Sequence, residues 1–147
     1  MSGFATAIGA ILKQKTEPVA STTPDASVYQ AIEVMAERQV GALLVMREGE
    51  LIGIISERDY ARKVALQGRS SKNTAVADIM SSPVVTVSPH HTVEECMRIM
   101  TDDRFRHLPV ISGGEVMGVI SIGDLVNWVI SEHETTILHL EAHLSGL

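Results

Sequence analysis

The sequence predicts a mixed α/β protein built from two copies of one strand, helix, strand, strand, helix unit, and three observations lead there. GIISERD at residues 53–59 returns as GVISIGD at 118–124. A shift of 65 positions lays residues 16–64 over 81–129 without a gap, pairing Pro18 with Pro83, Val28 with Val93, Met35 with Met100, Val45 with Val110 and Val64 with Val129. Within each copy the apolar residues change, at matching places, from helical spacing to short aliphatic runs. Similarity at one fixed offset marks a duplicated unit. Two units this small need each other to cover their apolar faces, so a pseudo-twofold pair is expected.

The elements follow in order. Residues 1–15 are an N-terminal extension in which Phe4, Ile8, Ile11 and Leu12 give a helical apolar stripe over 4–13. The first copy spans 16–67, opening with a short strand from Pro18 to Ser21 and a Pro-containing turn. Ser27-x-x-Gln30 is a capping box and starts a helix whose inner face carries Val28, Ile32 and Met35. The runs Ala42–Met46 and Leu51–Ser56, joined by REGE, read as a β-hairpin. Tyr60, Val64 and Leu66 then return to helical spacing. Residues 68–75, GRSSKNTA, in which Gly, Ser, Asn and Lys predominate, are the linker. The second copy, 76–132, repeats the order: a strand from Pro83 to Val87, the capping box Thr92-x-x-Glu95, the stripe Val93, Met97 and Met100, a hairpin joined by SGGE, and a helix with Leu125, Trp128 and Val129. Residues 133–147 form a C-terminal helical extension with Ile137, Leu138, Leu140 and Leu144 on one stripe.

Composition narrows the function. The chain has 147 residues, 45% hydrophobic and 20% charged, with two Phe, two Tyr and one Trp, so its core is aliphatic. That composition suits a folded α/β protein and not a disordered one. A net charge of −6 excludes a general nucleic-acid binder, which needs a basic face for phosphates. No apolar run is long enough for a membrane span, and the start MSGFATAIGAILKQK has none of the features of a secretory signal. With Cys96 alone there is no internal disulfide, and a cytoplasmic location is expected. His139 and His143 stand four apart, but two His without a fixed third ligand make a weak metal site, so none is assigned.

The chemistry concentrates where the opening motif ends. Ser56 and Asp59, like Ser121 and Asp124, sit where a strand gives way to a helix. Free amides and the helix dipole at such a turn favour a phosphate. The Ser hydroxyl can donate to it, and an Asp one turn in can accept both hydroxyls of a cis-diol. The same spacing also serves as a plain helix cap. The copies differ nearby: Arg104, Phe105, Arg106 and His107 replace Gln39, Val40, Gly41 and Ala42. No HExxH, CxxC, P-loop, GxGxxG or GxSxG is present, and no nucleophile, base and oxyanion site can be assembled.

The duplicated unit, MSSPVVTV, RFRHLPVI and the two Gly-h-h-Ser-x-x-Asp endings together resemble a pair of cystathionine β-synthase (CBS) domains, a Bateman module, over about residues 10 to 133. The first copy departs at its start, with KQKTEPVAS where Met-Ser-x-Pro is usual. The resemblance implies a non-enzymatic regulatory module that binds adenosine-containing nucleotides (AMP, ADP, ATP or NAD(H)) in clefts between the repeats and signals by changing shape. It implies no catalytic cofactor. Asp59 and Asp124 would hold ribose, and Ser56 and Ser121 would lie near phosphate. Arg106 and His107 would neutralise that phosphate in the second copy; in the first, charge would come from Arg58 or from nearby Lys63 and Arg69, and small Gly41 and Ala42 leave room for a bulkier ligand, the Asp59 cleft favouring a longer one such as NAD(H). Thr16 and Ser81, equivalent under the 65-residue shift, would line the entry to each first strand. It further implies a homodimer of pairs and a regulated partner protein. The competing reading is a ligand-free scaffold that dimerises or docks a partner.

Overall fold

The computed structural model describes residues 3–144, with side chains described through residue 133. The chain divides into two compact units that do not share their boundaries with the two sequence copies. One unit is contiguous, Pro18–Val85; the other joins Met1–Glu17 to Thr86–Leu147.

In the contiguous unit, β1 (Ser21–Thr22) runs parallel to β2 (Ala42–Arg47), which pairs antiparallel with β3 (Glu50–Ser56). Helix α2 (Val28–Arg38) starts at the Ser27 capping box foreseen from sequence, both reciprocal bonds being made. It stops because Gln39 turns left-handed at φ 55°. Helix α2 and strands β2 and β3 bury Val28, Ala31, Met35, Leu43, Val45 and Ile55 in one cluster, completed by Val64, Val76 and Ile79. At about 1.5 to 3 kcal/mol for each large aliphatic side chain removed from water, this cluster is the unit's main support. Val76 and Ile79 lie beyond the linker. Residues that the sequence assigns to the second copy thus complete the core of the first.

The second unit repeats the plan. Helix α4 (Val93–Asp103) begins at the Thr92 capping box and ends at left-handed Arg104, φ 59°. Strands β4 (His107–Ser112) and β5 (Glu115–Ser121) pair antiparallel. Both hairpins close through two residues of positive φ, Glu48 at 49° and Gly49 at 83°, Gly113 at 60° and Gly114 at 80°. That is the turn whose twist suits a two-residue hairpin loop. Both hairpins also shift register at equivalent places, after Val45 and after Val110. Cys96 is fully buried, as is Ala31 in its place, and burial pushes the thiol up to about 11.

Four expectations change. The first strands are shorter than read: β1 is two residues, and in the second unit only Val87 bridges to Val110. The N-terminal helix α1 is confined to Ile8–Leu12. The C-terminal extension is no separate helix, because α5 runs unbroken from Ile122 to Leu144 with no Pro or Gly between Asp124 and Leu144 to stop it. Finally, α3 (Glu57–Tyr60) gives way at once to a π-helical turn, Ala61–Ala65, where α5 continues straight. His139, His143 and the stripe Ile137, Leu138, Leu140 and Leu144 lie outside the residues whose side chains are described.

The glycine of the repeated motif has a packing reason. A Cβ on Gly53 would stand 2.5 Å from Met80 Sδ and 3.2 Å from the Ser81 carbonyl oxygen; one on Gly118 would stand 2.8 Å from a Leu12 methyl. Each glycine lets a segment from outside its own copy lie against the strand. Ser81 bonds there in both directions, its amide to the Ile54 carbonyl at 2.9 Å and its carbonyl to the Ile54 amide at 3.1 Å. Helix α1 is held within the discontinuous unit by its Ile8 and Gly9 amides, bonded to the carbonyls of His91 and Pro89 at 2.8 and 3.0 Å.

Candidate functional site

The two Ser-x-x-Asp motifs form two corners, one in each unit. At the first, Ser56 ends β3 and caps α3: its amide donates to Asp59 Oδ2 at 2.9 Å, and the Asp59 amide donates to Ser56 Oγ at 3.2 Å. At the second, Ser121 ends β5, its amide donates to Asp124 Oδ2 at 2.8 Å, and the Asp124 amide donates to Ser121 Oγ at 3.1 Å. The amide after each Ser is also taken, Glu57 by the Gly41 carbonyl at 3.0 Å and Ile122 by the Arg106 carbonyl at 2.9 Å. Free helix-start amides, expected from the sequence to meet a phosphate, are therefore largely absent. The capping boxes and the preceding loop consume them. An anion at either corner depends on side-chain cations.

The corners differ in what remains open. At Asp59 the Ser56 hydroxyl donates to Oδ2 at 3.1 Å, and Lys63 Nζ pairs with Oδ1 at 3.2 Å while donating to the Ile79 carbonyl at 2.9 Å. Both carboxylate oxygens and the serine proton are engaged. At Asp124, Lys15 Nζ sits 2.8 Å from Oδ2 and 2.8 Å from the Val119 carbonyl. Among the described residues no hydrogen bond to Oδ1 is made, while Oδ2 takes both Lys15 and the Ser121 amide.

The other expected residues distribute unevenly. His107 lies directly across the strand pair from Ser121, half-buried, with Arg106 exposed beside it. Burial holds the His107 imidazole below its usual range, helped by the charges of Lys15 and Arg106 and opposed by Asp124. Burial raises Asp124, but the Lys15 bond, the Ser121 bonds and the Lys15 charge outweigh it and hold the carboxyl below its usual range. Lys15, Arg106, His107, Ser121 and Asp124 thus converge. Thr16 follows Lys15, exposed, in the same unit. At the first corner Arg58 is half-buried on α3 and Ser81 is fixed beside β3, in the same unit as Asp59. Of the three cations read from sequence at this corner, Lys63 is spent on Asp59 and Arg69 reaches Asp78 at 4.0 Å, whereas Arg58 makes no ion pair among the described residues. Sequence reasoning missed Lys15. Its counterpart under the shift is Met80, so the duplication gives no signal for it; only its place beside Thr16 points there.

The profile of the CBS domain matches residues 8–66 and again 76–131. The chain belongs to the CBS-domain family. Its CBS pair is 43% identical over 155 residues to the mitochondrial CBS domain-containing protein CBSX3 of Arabidopsis thaliana, covering 99% of this chain and 75% of that one. A candidate signal-transduction protein with CBS domains from Burkholderia ambifaria superposes with a TM-score of 0.83 at 50% identity, over 86% of this chain and 95% of that one. A hexameric CBS-CP12 protein from bloom-forming cyanobacteria superposes at 0.72 with 33% identity, over 78% of this chain and 68% of that one. Among the described residues no helix is long and apolar enough to cross a membrane, and no group of three His, Cys, Asp or Glu is placed to hold a metal.

Proposed function

We propose that this CBS pair is a non-catalytic regulatory module that binds an adenosine-containing nucleotide, with the Asp124 corner as its principal site. The observation that carries the reading is the open Oδ1 of Asp124 within a cluster that also holds Lys15, Arg106 and His107. A carboxylate suits a ribose diol, and neighbouring cations suit the phosphate attached to it. The Asp59 corner is the secondary site. Its carboxylate must first release Lys63, and Arg58 supplies its free charge, so a longer ligand such as NAD(H) fits it better than AMP.

A homodimer of pairs, a regulated partner protein and a cytoplasmic location complete the proposal; the hexameric cyanobacterial relative supports self-association. The scaffold reading has one observation on its side, the internal satisfaction of both capping boxes. Calorimetric titration with AMP, ATP, NAD and NADH, run beside a turnover assay for each, separates the readings. Micromolar binding without turnover is expected. No heat with any of the four leaves the scaffold.

A further inference from the structure

We propose that Lys15 is the specificity-determining residue of the Asp124 corner and makes that corner demand an anionic group on any diol it accepts. The inference rests on the reading of Asp124 as a diol-binding carboxylate.

Lys15 is delivered to the corner from a fixed base. Helix α1 is tied by its Ile8 and Gly9 amides, Leu12 lies against Gly118, and the Lys15 amide closes a turn on the Leu12 carbonyl at 3.0 Å. From there Nζ reaches Asp124 Oδ2 and the Val119 carbonyl, both at 2.8 Å. A diol that takes both oxygens of Asp124 must displace Nζ from Oδ2. The displaced ammonium then faces the other basic groups of the corner, whose charges are felt together with its own at His107. A neutral nucleoside gives it no new partner. A nucleotide does, because its phosphate replaces the carboxylate as counter-anion, and the third ammonium proton is free for it. Lys15 therefore opposes the neutral ligand and assists the charged one. The side chains of this pair are 38% and 24% exposed, so each effect is moderate.

The test titrates adenosine and AMP into the full-length protein and its Lys15→Met, Lys15→Arg and Asp124→Asn variants. In Lys15→Met, adenosine should bind about threefold to tenfold tighter and AMP about threefold to tenfold weaker, so the AMP-over-adenosine preference collapses by roughly tenfold to a hundredfold. Lys15→Arg should keep the preference. Equal changes for both ligands, or none, in a Lys15→Met protein whose thermal transition is unaltered overturn the inference while leaving nucleotide binding intact. Wild-type protein that binds neither ligand overturns both readings. AMP binding unchanged in Asp124→Asn removes the carboxylate from the site and the role of Lys15 with it.

Discussion

At Asp59 the lysine comes from four residues along the same chain segment; at Asp124 it arrives from 109 residues earlier. The local lysine sits on the π-helical turn that follows α3 and, together with the serine hydroxyl, engages every oxygen of its carboxylate. The remote lysine engages one oxygen and leaves the other. The duplicated unit keeps its left-handed helix stops and its bulges, while the exchanges of Lys63 for Trp128 and of Met80 for Lys15 change which carboxylate oxygens are engaged. The difference teaches that the shared Ser-x-x-Asp motif builds a capped corner, and that the lysine beside it sets how much of the carboxylate is left unengaged.

The largest expected effect concerns the units themselves. A fragment of residues 16–75 follows the sequence copy but lacks the buried Val76 and Ile79 and the Ser81 bridge. Two lost aliphatics cost about 3 to 6 kcal/mol, most of a small domain's stability, so it should show no cooperative unfolding by circular dichroism. Residues 18–85, the contiguous unit, should show a transition. Equal behaviour of the two fragments would break the distinction between copy and unit.

Next comes ligand affinity. Asp124→Ala and Arg106→Ala should each weaken AMP by roughly tenfold to a hundredfold, the loss of a charge-assisted hydrogen bond. Asp59→Ala should change AMP by less than about threefold, because that carboxylate is already engaged within the protein. Calorimetry that ranks Asp59 above Asp124 would reverse the comparison.

The two glycines sharpen it further. Gly53→Ala places a methyl against the Ser81 backbone oxygen as well as Met80, whereas Gly118→Ala meets only the end of Leu12. Backbone cannot yield as a side-chain methyl can, so denaturant melts should give a loss of about 1 to 3 kcal/mol for Gly53→Ala and less than about 1 kcal/mol for Gly118→Ala. A larger loss at Gly118 would show that the N-terminal segment is the more rigid of the two.

The smallest effect is on pH. Asp124 holds its proton less tightly in the folded protein than in the unfolded chain, so the stability it supplies is complete above the unfolded pKa and is lost as pH falls through the folded value. His107, held neutral mainly by burial, acts in the same direction at higher pH: its contribution is complete above the ordinary imidazole value and fades as pH drops through the lowered one. Melting temperatures should therefore decline in two steps below neutrality. His107→Gln should remove the upper step and Asp124→Asn the lower. A wild-type profile flat across both ranges would contradict the burial of these groups.

Much of this was legible in the sequence because it is local. The capping boxes at Ser27 and Thr92, the hairpins through REGE and SGGE, and the two Ser-x-x-Asp corners each depend on residues within four positions of one another. The unbroken α5 is legible too, since no Pro or Gly stands between Asp124 and Leu144, so the boundary read at residue 133 has no residue to make it. Lys15 beside Asp124, Leu12 against Gly118 and Val76 in the first core are different in kind. They are tertiary choices between distant segments, and periodicity carries no information about them. The free amides were misjudged for a related reason: the carbonyls of Gly41 and Arg106 that occupy them belong to loops before the hairpins.

The discontinuous unit sets an order of events during synthesis. Residues 18–85 leave the ribosome as a complete set, able to form their core while the chain is still growing. Residues 1–17 were made before them and must wait for 86 onward. Until β4 and β5 emerge, Ile8 and Ile11, both buried in the finished protein, have no surface to cover them. Closing that unit also means bringing the two ends of an already folded insert together, a long-range step that local structure cannot hasten. The last unit to consolidate is therefore the one that carries the Asp124 corner.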